Sequence, residues 1–178
     1  MATANPRLAK ELELLHQLRK QFPTAVLGDR IFRDQLFIDI APESIRNVVK
    51  FLRDDPAMEF RTLTDLTCVD YLKLPDYARS RFGVTYILFS FKLDARLRLK
   101  AWVSQASPEL PSVADIFGSA NWAEREVFDL YGIRFSGHPG LKRILMPADF
   151  DGHPLRKDYP LKGRGERDSF PVLSRRES

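Results

Sequence analysis

The chain has 178 residues, 44% of them hydrophobic and 29% charged, which suits one folded domain and excludes a chain disordered throughout. Its formal charge of +4 comes from 28 basic and 24 acidic residues spread evenly along the chain, so no basic arm marks a nucleic-acid binder. The longest apolar run, GVTYILFSF at 83–91, is strand-sized against the roughly 20 residues of a membrane helix, and the charged start MATANPRLAKELELL lacks a signal peptide's apolar stretch. The chain is therefore expected to be cytosolic, or peripheral to a membrane through partners, and not inserted.

Residues 6–21 predict an amphipathic helix, with Leu8, Leu12 and Leu15 on one stripe, Leu14 and Leu18 beside it, and Pro23 as its stop. Strands are expected near 24–27 and over 35–40, where Leu36, Ile38 and Ile40 alternate with Phe37 and Asp39. A second helix has Pro42 at its first position and repeats Ile45, Val48, Val49 and Leu52 at helical spacing. Asp55-Pro56 closes it, because the residue before proline is pushed out of the helical region. Extended segments follow at 59–70, 82–91 and 96–103, the last two joined by Leu93-Asp94-Ala95, short enough for an antiparallel hairpin. RLRLKAWV, at 96–103, alternates basic and apolar residues, so one of its faces is wet or meets something acidic.

Residues 112–117 predict a short helical turn ended by Gly118. A third helix is capped by Asn121, with Glu124 reaching back in a capping box, and ends at Gly132. From Ile133 onward no periodicity persists, and the polar stretch 163–178 is expected to be mobile without a partner. The element order predicts an α+β fold: a two-layer domain of helices on a mixed β-sheet at 1–135, then an irregular, extended, partner-binding segment at 136–178.

Cys68 stands alone, with no CxxC, so this chain cannot supply the thiolates of a zinc ribbon or an iron–sulfur cluster. Inside a strand it reads as a small buried hydrophobe. Three constellations remain. Glu126 and Asp129 share a helical face and can form paired carboxylates, while the plainer account has Glu124 as a cap residue and Arg125 paired with Asp129 at i, i+4. His138 and His153, each in Gly-His-Pro with Asp149 and Asp151 between them, are either metal ligands or loop histidines bonded to backbone or to a partner. The run His153–Pro160 brackets Arg156, Lys157, Asp158 and Tyr159 between prolines, a segment fit to lie along another protein or else to be a solvated loop. No dinucleotide or phosphate loop, nucleophile elbow or HExxH motif occurs.

Residues 121–161, NWAEREVFDLYGIRFSGHPGLKRILMPADFDGHPLRKDYPL, resemble the signature of one family, the C (30 kDa) subunit of proton-pumping NADH:quinone oxidoreductase, respiratory complex I. The resemblance is carried by Glu124-Arg125-Glu126, Asp129, Gly132-Ile133, Gly137-His138-Pro139, Arg143-Ile144-Leu145 and the run His153–Pro160, with DLTCVDY at 65–71, Arg81-Phe82 and RLRLK at 96–100 upstream. It implies a two-layer α+β subunit of the hydrophilic arm, beside the large D-type subunit that forms the quinone pocket. It also implies no catalytic residue, flavin or iron–sulfur cluster in this chain, the FMN and clusters belonging to partner subunits, and a place on the cytoplasmic face of the bacterial inner membrane. Related hydrogenase-type complexes carry similar subunits, so the electron donor stays open, and a stand-alone carboxylate or histidine hydrolase is the remote alternative. Tyr131 and Lys142 depart mildly from the family pattern, and Lys lacks Arg's bidentate fork. The residues expected to face partners are Glu124, Arg125, Glu126, His138, Arg143, His153, Arg156, Lys157, Asp158 and Tyr159. Residues after Leu145 are expected to be mobile in the free chain, and Arg156→Ala to leave its melting temperature nearly unchanged.

Overall fold

The computed structural model describes residues 6–74, 76 and 79–165. Helix α1 (Pro6–Gln21) leads into strands β1 (Val26–Phe32) and β2 (Gln35–Ile40), then α2 (Ile45–Asp54), β3 (Thr62–Asp70), β4 (Phe82–Ser90) and β5 (Ala95–Val103). A short strand β6 (Glu109–Pro111), helix α3 (Ala120–Tyr131) and strand β7 (Arg134–Ser136) complete the regular elements. The main sheet runs β1-β2-β5-β4-β3, parallel between β2 and β5 and antiparallel elsewhere. The α+β expectation is met.

One face of this sheet forms the core. Leu36, Ile38 and Ile40 of β2, Leu97, Leu99 and Ala101 of β5, and Val84, Tyr86 and Leu88 of β4 are buried with Ile45, Val48, Val49 and Leu52 of α2 and Val127 of α3. The period-2 and helical repeats put these side chains on single faces, and burying each is worth about 1.5–3 kcal/mol. Helix α1 buries Leu14, Leu15 and Leu18 but leaves Leu12 exposed, because its inward stripe includes Glu11, which accepts the Leu36 N–H and meets Arg98.

Three local expectations are corrected. Strand β1 is longer than 24–27 and turns into β2 through Arg33 and Asp34, whose φ values of 50° and 57° suit a two-residue hairpin turn. Pro42 opens a separate 3-10 turn (Pro42–Ser44) ahead of α2. On β5 Arg96 is wet and Arg98 meets the acidic Glu11, as expected of one face, but Lys100 is buried among aromatic rings instead. The Lys100 ammonium lies 5.0–5.2 Å from the Phe37, Tyr71 and Trp102 rings and donates to the Tyr71 hydroxyl at 2.9 Å.

Strand β7 pairs with β6 in a second, two-stranded parallel sheet, so position 135 lies inside a paired strand. Residues 137–165 carry no further helix or strand and run as a strap across the end of α3 and the β3–β4 edge. The part of the polar stretch beyond 165 lies outside the described residues.

Candidate functional site

The C-terminal end of α3 is where the strap is held. A helix leaves its last carbonyls without intrahelical donors, and here the strap supplies them in succession. His153 Nδ1 donates to the Asp129 carbonyl at 2.8 Å, the Leu155 N–H to Leu130 at 3.1 Å, and Arg156 Nε to Tyr131 at 2.6 Å. Gly132 ends the helix at φ +74°, and a Cβ there would fall 2.4 Å from His153 Nε2 and 2.6 Å from Arg156 Nη2. Glycine is required by both the left-handed backbone and the close approach.

The Asp129 side chain, fully buried, organises the other half of this node. Its Oδ2 accepts the N–H groups of Ile144, Leu145 and Met146 at 2.8–2.9 Å, and its Oδ1 accepts Arg143 Nη1 at 2.7 Å. Burial pushes the carboxyl up, but these donors outweigh it and hold Asp129 below the ordinary carboxylate range. Arg143 also donates to the Phe150 and Gly152 carbonyls, so one guanidinium ties α3 to both limbs of the strap.

A second node sits at the end of β3. Asp70, also fully buried, takes the Arg81 guanidinium and the backbone N–H groups of Leu72 and Lys157. Arg81 then reaches Asp158 and Gln105, each at 2.8 Å. Burial opposes ionisation of Asp70, yet Arg81 and the two amides keep its carboxyl below the usual value. The Arg81 and Arg156 guanidiniums both lie over the Phe82 ring, at 4.9 and 5.3 Å. Burial and the nearby Arg81 charge lower the Arg156 pKa.

A third buried carboxylate, Glu124, contacts Ser112 Oγ at 2.6 Å and accepts the Val113 N–H at 2.7 Å. Burial pushes its pKa up to about 7. This corrects the capping-box expectation: α3 begins at Ala120, no side chain caps it, and Glu124 turns inward to the loop after β6. Arg125 does not pair with Asp129 either, but donates to the Lys142 and Arg143 carbonyls, both at 3.1 Å, and stacks on Trp122. Glu126 is exposed whereas Asp129 is buried and saturated, so the two do not act as a pair.

The histidines spend their ring nitrogens locally. His138 Nδ1 accepts the Gly140 N–H, which makes Nε2–H the donor to the Asn121 carbonyl at 3.1 Å. Burial lowers the His153 pKa, leaving a neutral ring that donates from Nδ1. Among the described residues no three His, Cys, Asp or Glu side chains gather as a metal-binding group. Cys68 is buried, and burial with the nearby Asp70 charge raises its pKa well above the ordinary thiol range.

Of the residues expected to face partners, Glu124, Arg143, His153 and Arg156 are therefore engaged inside this chain, while Arg125 and His138 brace the start of the strap. The Lys157 and Asp158 side chains are exposed, and Tyr159 is half-buried beside Phe150. Asp70, Arg143 and the α3 carbonyls give residues 143–157 partners within this chain, which the reading of everything after Leu145 as loose did not foresee. Asp70 and Arg81 were missed as site residues, although a charge closing the apolar alternation of DLTCVDY was a visible signal. On the strap's outward side Leu145 and Leu161 are exposed around a cleft of about 480 Å³ that Met146, Phe150 and Tyr159 also line, and Leu155 is exposed on the same stretch. Such a surface can bind another protein.

The family described as "Respiratory-chain NADH dehydrogenase, 30 Kd subunit" matches residues 38–165, from β2 to the end of the described strap. The chain belongs to this family. The C subunit of NADH-quinone oxidoreductase from Roseiflexus sp. (strain RS-1) is 47% identical over 148 residues, covering 83% of each chain. Its counterpart from Geobacter sulfurreducens is 41% identical over 156 residues, covering 88% of this chain and 93% of its own. Among solved structures, the trypsin-resistant fragment (1–134) of Nqo5 aligns with a TM-score of 0.61 at 33% identity, over 74% of this chain and 99% of the fragment. A chain of the archaeal membrane-bound sulfane sulfur reductase aligns at 0.70 and 21% identity, over 95% and 96%, which shows a shared fold. No described helix is long and apolar enough to cross a membrane.

Proposed function

We propose that this chain is a non-redox subunit of the peripheral arm of a proton-translocating NADH:quinone oxidoreductase. It contributes assembly and shape while FMN and iron–sulfur clusters in other subunits carry electrons to quinone. The observation that carries the reading is the strap. Its Arg143, His153 and Arg156 side chains are engaged within the chain, its exposed Leu145 and Leu161 border a largely apolar cleft, and the family match runs through all of it. Apolar surface of this kind marks a protein interface. The partner assigned to it is the D-type subunit that forms the quinone pocket, and the location is the cytoplasmic face of the bacterial inner membrane, reached through the complex. A lone buried thiol fits a chain without a cluster of its own.

The test is affinity purification of the tagged chain from its own host. The expected result is co-purification of the D-type subunit with NADH:quinone reductase activity. Leu155→Asp and Leu161→Asp are expected to release that subunit while leaving the free chain's melting temperature unchanged. Recovery of a hydrogenase-type partner instead, or intact assembly with both variants, would overturn the reading.

A further inference from the structure

The three buried carboxylates of β3 and α3 are not held alike. Asp129 and Asp70 each take a guanidinium, from Arg143 at 2.7 Å and from Arg81 at 2.8 Å. Glu124 takes none among the described residues. Its oxygens meet only the Ser112 hydroxyl at 2.6 Å and the Val113 N–H at 2.7 Å. The cation whose charge reaches it is Arg46 of α2, and Arg46 is spent on Asp115 at 2.5 and 2.6 Å and on the Ser112 carbonyl at 2.7 Å.

A buried hydroxyl shares this compartment. Ala120, Glu124 and Val127 are buried along one stripe of α3, and Tyr86 stands on the core face of β4. Tyr86 is fully buried, and its Oη is the buried side-chain atom without a hydrogen-bond partner among the described residues. Burial raises its pKa, and the charges that act on it, Glu124 first and then Cys68, raise it further. The hydroxyl therefore keeps its proton and stays able to donate. Buried polar groups are nearly always paired, because a bond left unmade there is costly.

The two shortages answer one another. A protonated carboxyl needs no cation, since it can donate to Ser112 Oγ and accept from Val113. An ionised one carries a charge that two neutral donors leave unbalanced, and it offers about four lone-pair sites to further donors. We propose that Tyr86 is the reserve donor to Glu124, idle while the carboxyl holds its proton and drawn onto it when the proton leaves, so that the α3–β4 contact is a pH-sensitive switch. The surroundings set its range. Burial lifts Glu124 to about 7 against the Ser112 and Val113 bonds, and of the smaller effects Asp115 raises it and Arg46 lowers it. Below that pH the pair is open, and above it the phenol closes onto the carboxylate.

The test is a pH titration of the full-length chain by NMR, with ¹³C in the Glu and Tyr side chains. The Glu124 carboxyl is expected to titrate at about 7, and the Tyr86 Cζ signal to move with the same midpoint. Cys68 is raised well above that range and does not contribute. Tyr86→Phe removes a donor to the charged form and should raise the Glu124 midpoint by about one unit, the scale of one hydrogen bond to a charged group. In Glu124→Gln the Tyr86 signal should no longer titrate there. An unchanged or lowered midpoint in Tyr86→Phe overturns the switch, as does a Tyr86 signal indifferent to ionisation of Glu124. The Tyr86 signal is read in the parent chain, so it decides the matter even where a variant unfolds.

Discussion

Replacing Asp129 by Asn keeps the side chain's shape and removes its charge. In the folded chain Oδ2 accepts three backbone N–H groups and Oδ1 accepts Arg143, all within the buried end of α3. An amide must turn its NH₂ toward either the three amides or the guanidinium, so donors face donors whichever way it flips. Breaking a buried charged pair by altering one partner costs about 3–5 kcal/mol, and each bond to a charged group contributes about 1.5–3 kcal/mol. A loss of about 3–5 kcal/mol in a chain of this size lowers the melting temperature by roughly 6–20 °C. The pH dependence has a definite sign. Because the folded carboxyl is held below its ordinary value, its contribution is present above the unfolded pKa near 3.9 and is lost as pH falls through the folded value. The parent and the Asp129→Asn variant should therefore differ most near neutral pH and converge in acid. Denaturant unfolding across pH 3–8, with hydrogen exchange at residues 144–146, measures both effects. A difference below about 1 kcal/mol at pH 7, or unchanged exchange at those amides, refutes the role assigned to Asp129.

Arg156→Ala removes the bond to the Tyr131 carbonyl and the contact with Phe82, so the free chain should lose about 1–3 kcal/mol in a denaturant melt, with partial recovery in Arg156→Lys. Glu124→Gln tests a raised pKa: the folded chain keeps a proton that the unfolded chain releases, so parent stability should fall by up to about 1.4 kcal/mol per pH unit between roughly pH 4.5 and 7. The Gln variant should lack that slope, and identical pH profiles would contradict it. Gly132→Ala forces a Cβ into His153 and Arg156 at positive φ, and thermal unfolding should show a loss of more than about 1 kcal/mol. Cys68 should resist thiol reagents in the native chain and react on unfolding, and full labelling without denaturant would count against its burial.

The elements that could be read directly are those whose burial follows one period. Strand β2 and helix α2 show their alternation and i, i+3, i+4, i+7 repeats because each buries a single face, and Gly132 stops α3 as its position suggests. Strand β1 was underestimated because, as an edge strand, it buries little and needs no apolar alternation. Burial of Arg98 and Lys100 was not legible, since Glu11, Phe37 and Tyr71, which cover them, come from other segments. The site residues were picked out as residue types, but their direction was not. Arg143, His153 and Arg156 turn inward because the chain doubles back on α3, and no periodicity in the strap reports that reversal. Local spacing paired Asp129 with Arg125, whereas the observed partner is fourteen residues away.

Much of the strap's path is set by main-chain groups. The Asp129 carboxylate grips three successive amides, Asp70 grips the Lys157 amide, and the Leu130 carbonyl takes the Leu155 amide. Amides are common to nearly every residue type, so the identities of Leu145, Leu155 and Lys157 are free of the anchoring that fixes where they stand. Route and display are separately encoded. A lineage can rewrite the outward side chains to suit a different neighbour while the inward anchors keep the same course.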